Sequence, residues 1–195
     1  QFTMEFMEQE ILMLLEKNQL NVGPARIRFS VYRAEGGLYT PTSKEVGYLI
    51  ETAALNDCLY TQKEGVYEVE LFKDYYVSTQ LLSTVKTTNR ALNIIAGIFA
   101  DENNFNNCLL LNEKKHVAEA INGNIFLVKG NTVKTPPLAD GCIKGIMRKQ
   151  IIDLINATED YVLEEASISP FELQKADELF ITNVIQGVVS ISKYR

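Results

Sequence analysis

The chain has 195 residues, is 46% hydrophobic and carries a formal net charge of −6, a composition typical of a folded globular protein and unlike that of a disordered one. The acidic balance and the scattered basic residues argue against nucleic acid as the main partner. No apolar stretch approaches the roughly 20 residues that span a bilayer. We therefore expect a cytoplasmic protein with no membrane partner.

Cysteine and histidine are too sparse here to predict a zinc site with close cysteine pairs or a histidine-rich metal site. Cys58, Cys108 and Cys142 are far apart in the chain, so their spacing predicts neither a disulfide framework nor a zinc site, and we expect reduced, partly buried thiols. His116 is the single histidine. It follows two lysines in a polar stretch, which favours an exposed turn residue over a general base.

The first portion of the chain has the pattern of a helix packed on strands. Apolar residues at helical spacing predict a helix from Met4 to Asn18, with Thr3 as its N-cap. Residues 25–33 alternate apolar and polar side chains before a glycine turn, which predicts a strand. Residues 48–52 and 66–72 repeat the alternation. We expect one antiparallel sheet, with the helix lying on it.

We place the junction between two domains in residues 73–80, which divides the chain into domains 1–78 and 79–195. In the second domain we predict helices and strands in mixed order. The helices cover residues 89–100, 146–155 and 170–177, and the strands cover 108–111, 116–118, 125–128, a segment around Val133, 179–182 and 188–191.

Lys86 and Glu119 carry the chemistry that points to a function. Lys86 stands just before the helix predicted at residues 89–100, and Glu119 lies in the cluster that ends at Asn124. A lysine amine can hold an aldehyde cofactor as a Schiff base, and a carboxylate can keep a pyridine nitrogen protonated. Either residue alone would more often be a solvated surface charge. Together they suggest a pyridoxal phosphate enzyme.

Four segments in order strengthen this hypothesis by a resemblance. They are Lys86-Thr87-Thr88-Asn89-Arg90, the cluster from Glu119 to Asn124, the run from Thr135-Pro136-Pro137 to Gly145-Ile146-Met147-Arg148, and residues 176–183. In this order the chain resembles the fold-type-IV pyridoxal phosphate enzymes of the class IV aminotransferase family. These comprise branched-chain aminotransferases, D-amino acid aminotransferases and aminodeoxychorismate lyases.

The resemblance implies an α+β fold in which a small α/β domain precedes a larger domain with a strand-rich core and flanking helices. Because the chain opens on Gln1-Phe2-Thr3 without an initiator methionine, we expect an upstream portion of the small domain, which would carry the family's phosphate-binding arginine. A homodimer acting on a small-molecule substrate is also implied.

Two motifs favour one branch of the family. Asn89-Arg90 after the lysine and Gly145-Ile146-Met147-Arg148 look like 4-amino-4-deoxychorismate lyase, which releases pyruvate and p-aminobenzoate for folate synthesis. The alternative is an aminotransferase for branched-chain or D-amino acids with 2-oxoglutarate. A third hypothesis is a relative that binds without catalysis, because Met147 replaces a threonine of the aminotransferases.

The resemblance also assigns roles to single residues. Lys86 would hold the cofactor and move the proton, while Glu119 would pair with the pyridine nitrogen. The amides of Ile146 and Met147 would bind the phosphate at a helix start, where free N–H groups favour an anion.

Four further positions have weaker assignments. Asn124 and Asn183 would add polar contacts to the cofactor. Arg90 would contact either the cofactor hydroxyl or a substrate carboxylate. Arg33, and with it Arg28, would bind a substrate carboxylate, although a plain surface arginine is an equally good interpretation.

Overall fold

The computed structural model describes residues 2–56, 60–62 and 65–195, so Cys58 lies outside the described residues. The chain forms two compact units, Gln1–Leu59 and Tyr60–Arg195. This division falls before the strand predicted at residues 66–72, whereas we expected a division after it.

Over residues 2–56, the first unit contains one helix, α1 (Met4–Lys17), and two strands, β1 (Ala25–Arg33) and β2 (Val46–Ala54). As predicted, the Thr3 hydroxyl caps α1 by accepting from the Phe6 amide at 3.1 Å. The two strands pair antiparallel along their whole length. Aromatic rings join helix and strands, because Phe6 packs edge-on against Tyr48, which stacks on Phe29 at a centroid distance of 5.5 Å.

The second unit contains two sheets and three helices among its described residues. Its elements are β3 (Glu68–Val77), α2 (Ala91–Glu102), β4 (Asn107–Asn112), β5 (Val117–Ala120), β6 (Asn124–Lys129), β7 (Thr132–Thr135), α3 (Ile146–Asn156), β8 (Val162–Glu165), α4 (Pro170–Leu173), β9 (Glu178–Asn183), β10 (Gly187–Ile191) and β11 (Lys193–Tyr194). One sheet has the order β10-β9-β6-β7-β8 and the other β11-β3-β4-β5. Within the described ranges, no helix is both long and apolar enough to cross a bilayer.

Strand β4 lies at the centre of the second unit because both of its faces are covered. Leu109 and Leu111 belong to a core that also includes Ile125 and Ile181 of the other sheet. On the opposite face, Leu110 packs in a second core with residues of α2. All six residues of β4 are buried. The α+β fold class expected from the sequence is therefore confirmed, with a strand-rich second unit.

The prediction for the strand at residues 66–72 was wrong in its partner. This segment, as β3, does not join the antiparallel sheet of the first unit but pairs in parallel with β4 and β11. Alternation of side chains fixes the two faces of a strand, yet it contains no information about which strand lies beside it. The strand also runs on to Val77, through the region where we placed the domain junction.

The helix predicted at residues 170–177 is shorter than expected. It begins with a capping box formed by Ser169 and Glu172 and ends at Leu173. The chain then leaves the helix because the Asp177 amide donates to the Val128 carbonyl at 2.8 Å, which starts the pairing of β9 with β6. Sheet pairing therefore overrides the helical pattern. Strands β8 and β11 were not predicted.

Gly123, in the turn between β5 and β6, gives a test of this packing. A Cβ atom there would lie 2.7 Å from the backbone oxygen of Thr182 in β9, so the two segments would have to separate. We expect Gly123→Ala to lower the free energy of unfolding by about 1–3 kcal/mol, as overpacked sites do. Gly97, inside α2, has open space around the position of a Cβ atom. Gly97→Ala should therefore raise the free energy of unfolding by about 0.5–1 kcal/mol. Urea denaturation measures both variants, and equal stability of the two would contradict the packing described.

Candidate active site

Glu119 is a carboxylate inside the second unit, in β5, and only 2% of the residue is exposed. Its Oε2 accepts a hydrogen bond from the Ile143 amide at 2.8 Å, and its Oε1 lies 3.6 Å from Nη1 of Arg90. Burial raises the pKa of Glu119 to about 7, and the Ile143 amide and the charges of Arg90 and Lys86 oppose this rise. Glu119 is thus a carboxyl group that titrates near neutrality in the absence of a ligand.

Lys86 lies in the extended segment between a short 3-10 helix (Leu81–Thr84) and α2, and it is exposed. The positive charge of Lys86 acts on Glu119, because it helps to lower the pKa of that carboxyl group. The segment is held by two hydrogen bonds to the carbonyls just before the lysine. The carbonyl of Thr84 accepts from the Lys144 amide at 2.9 Å, and the carbonyl of Val85 accepts from Nη2 of Arg90 at 2.9 Å.

The start of α3 lies beside the same carboxylate because the loop before it contains Ile143. Asn124, the first residue of β6, donates from Nδ2 to the Ile143 carbonyl at 2.8 Å. A Cβ atom on Gly145 would lie 2.2 Å from Oδ1 of Asn124, so only glycine fits this approach. Asn124 therefore holds the loop in place with its amide nitrogen.

Gly145 is the N-cap of α3 and has no side chain with which to satisfy the first helical amides. The N–H groups of Ile146 and Met147 have no acceptor within the helix, as at every helix start. Arg148, one turn in, bonds to other parts of the protein. It is buried, and its Nη2 donates to the Pro136 carbonyl at 2.9 Å and contacts Glu165 at 2.6 Å, which attaches α3 to the neighbouring loop and to β8.

Asn183 has its side chain engaged in the turn between β9 and β10. Its Oδ1 accepts from the amides of Ile185 and Gln186 at 3.0 and 2.8 Å, and its Nδ2 donates to the Gln186 side chain at 2.9 Å. A cofactor contact from Asn183 stays a prediction, and it would require these bonds to be shared or exchanged.

Arg28 and Arg33, predicted to bind a substrate carboxylate, lie in β1 of the first unit. Arg28 has its Nε 3.6 Å from Oε2 of Glu51 on the paired strand, with more than half of its side chain exposed. Arg33 is the exposed last residue of β1. Their role toward substrate likewise stays a prediction.

The structure thus brings three predicted residues, Lys86, Arg90 and Asn124, together around Glu119 with the start of α3. It adds one functional group that the sequence analysis missed, the backbone amide of Ile143. A backbone donor leaves no signature in residue type, so no motif identified it. The donor set suits a phosphorylated, protonated nitrogen heterocycle, with a primary amine, a buried carboxylate and free helix amides in one place.

The burial of Glu119 predicts a pH effect on stability. The pKa of this carboxyl group is raised from 4.5 to about 7 in the folded protein, so the folded state binds the proton more tightly than the unfolded state. The folded state therefore loses stability as the pH rises through this range. Between pH 4.5 and 7, the cofactor-free wild type should lose about 3 kcal/mol of stability relative to Glu119→Gln. Urea denaturation at several pH values tests this, and parallel stability curves for the two proteins would contradict it.

Known proteins provide a separate comparison. The family model for amino-transferase class IV matches residues 1–194. The "Putative branched-chain-amino-acid aminotransferase" of Methanocaldococcus jannaschii is 30% identical over 97% of this chain and 65% of its own length. The aminodeoxychorismate lyase of Vibrio harveyi is 31% identical over 57% of this chain and 41% of its own length. The chain therefore spans less than two thirds of each of these two relatives.

Among solved structures, the branched-chain amino acid aminotransferase of Thermobaculum terrenum in its PLP-form superposes with a TM-score of 0.85 at 20% identity, covering 99% of this chain and 63% of that one. At this identity the likeness concerns the fold. Since the family model covers nearly the whole sequence, the chain belongs to the class IV aminotransferase family of enzymes.

Proposed function

We propose that the protein is a pyridoxal phosphate-dependent 4-amino-4-deoxychorismate lyase that releases pyruvate and p-aminobenzoate. The observation that carries the proposal is the buried Glu119 carboxylate, within range of the Lys86 charge and next to the start of α3. The form of Thermobaculum aminotransferase that resembles this chain is described as containing PLP, which supports the same cofactor here.

Three groups of this chain would hold the cofactor. Glu119 would hold its ring nitrogen in the protonated state, and the amides of Ile146 and Met147 would bind its phosphate. The Lys86 amine would hold its aldehyde carbon. When bound, the cofactor supplies an electron sink for the carbon next to the substrate nitrogen.

The reaction then needs one proton acceptor from this chain. The Lys86 amine would accept the proton from the ring carbon that carries the substrate nitrogen. Loss of that proton lets the enolpyruvyl group leave, and the leaving group becomes pyruvate when it gains a proton. The remaining ring becomes aromatic, which makes the elimination strongly favourable.

The choice of lyase over aminotransferase is supported by two motifs and one relative. Arg90 follows Asn89, and Met147 takes the place of a threonine in Gly145–Arg148; both features resemble the lyases. The relative is the Vibrio lyase. An aminotransferase would use the same Lys86 and Glu119 but return the proton to the cofactor, and the archaeal relative supports that second candidate.

Product analysis decides between the two activities. With pyridoxal phosphate and 4-amino-4-deoxychorismate, we expect p-aminobenzoate and pyruvate in equal amounts, because both come from one elimination. With a branched-chain or D-amino acid and 2-oxoglutarate, we expect no rapid formation of glutamate. The reverse pattern would contradict the lyase and support the aminotransferase.

Lys86→Ala provides the control for this assay. The loss of the base should lower the rate by about 10²–10⁴-fold or more. Lys144→Ala, which removes an exposed lysine from the loop before α3, should keep the rate.

Borohydride reduction of the loaded wild type should fix the cofactor on the peptide that contains Lys86. Absence of any fixed cofactor would favour a relative that does not catalyse.

A further inference from the structure

Arg90 connects the lysine segment with the buried carboxylate. Its Nη2 donates to the carbonyl of Val85, the residue before Lys86, and its Nη1 lies 3.6 Å from Oε1 of Glu119. Arg90 is also the N-cap residue of α2, but its side chain makes no capping bond. Among the described residues its buried Nε has no hydrogen-bond partner. The guanidinium is therefore directed toward Glu119 and the lysine segment and not toward its own helix.

The charge of Arg90 differs in kind from the other positive charge near Glu119. Lys86 must lose its proton to act as a nucleophile or base, so it cannot supply a constant charge during the reaction. An arginine stays charged at any working pH. The remaining opposing group is the Ile143 amide, a neutral dipole. Arg90 is thus the permanent charge beside this carboxylate in the described part of the chain.

Other ionisable groups near Glu119 are neutral, paired or of the wrong sign. The Cys142 thiol, in the loop before α3, feels the charges of Arg148, Glu119 and Asp140, and burial raises its pKa to about 12, so it is uncharged near neutrality. Arg148 is paired with Glu165. Asp140 is buried and acidic, so it supplies no positive charge.

We infer that Arg90 is a positioning residue, which favours the ionised form of Glu119, holds this carboxylate beside the Lys86 segment and does not bind the substrate carboxylate. The inference rests on the proposed function in one respect, that Glu119 serves the ring nitrogen of the cofactor. It replaces the two roles expected from the sequence, in which Arg90 contacts the cofactor hydroxyl or the substrate.

The test measures the titration of Glu119 in the cofactor-free protein. Carbon-13 NMR of glutamate-labelled protein reports each side-chain carboxyl, and Glu119→Gln assigns the signal. Arg90→Gln should raise the pKa of Glu119 by about one to three pH units, the effect of losing an opposite charge at this distance. Arg90→Lys should restore most of the wild-type value. Lys144→Gln, the matched control, removes a nearby exposed charge and should leave it unchanged.

A pKa of Glu119 that is the same in Arg90→Gln and wild type would overturn the inference. Arg90→Met, which keeps the apolar stem without the charge, replaces the glutamine variant if that variant does not fold.

Kinetics of the loaded enzyme give a second readout. At pH 7 Arg90→Gln should lower kcat by at least about fivefold, the loss of ionised carboxylate that one pH unit causes, with a smaller change in KM. A rise in KM at constant kcat would instead assign Arg90 to the substrate carboxylate.

Failure of the inference and failure of the proposed function are distinguishable. The titration uses neither cofactor nor substrate, so it stands even if no lyase activity is found. If p-aminobenzoate is formed but the pKa of Glu119 is unchanged in Arg90→Gln, the proposed function holds and the inference fails.

Discussion

The candidate site depends on the burial of one carboxylate. Glu119 is almost completely removed from solvent, and an ion in that position is unstable unless the protein surrounds it with donors and opposite charge. The surrounding structure supplies them from different parts of the chain. The loop before α3 brings the Ile143 amide, and the segment before α2 brings Arg90 and Lys86.

Several polar residues keep these segments in place. Asn124 holds the carbonyl of Ile143, so the amide of the same residue stays directed at Glu119. Arg148 fixes α3 by its bonds to Pro136 and Glu165. The Thr84 carbonyl joins the lysine segment to the same loop through the Lys144 amide. The candidate site thus rests on a network in which most of these groups hold Glu119 and the lysine segment in place.

Much of the local structure could be predicted from the sequence. The Thr3 cap and the bounds of β1 followed from hydroxyl capping and side-chain alternation, which are local properties. The sheet that contains β3 could not be predicted. Its partner β4 falls in the second predicted domain, whereas β3 falls in the first. The exposed edge strand β8 was missed because its two apolar residues are adjacent and do not alternate with polar ones.

The site itself was only partly predictable. Lys86 and Glu119 were identified because the chemistry of a pyridoxal phosphate enzyme requires their side chains. Ile143 was missed because it acts through its backbone. Asn183 was assigned from the resemblance, and the structure shows its side chain occupied in a turn. Residue type predicts which chemistry a side chain can perform, whereas tertiary structure decides which side chains other bonds already occupy.

The most direct measurement of the central claim follows the protonation of the cofactor ring. Nitrogen-15 NMR of protein loaded with ring-labelled pyridoxal phosphate distinguishes a protonated from an unprotonated pyridine nitrogen. The account predicts a protonated nitrogen in the wild type at pH 7–8 and an unprotonated one in Glu119→Gln. The same nitrogen signal in both proteins would show that Glu119 is not its partner.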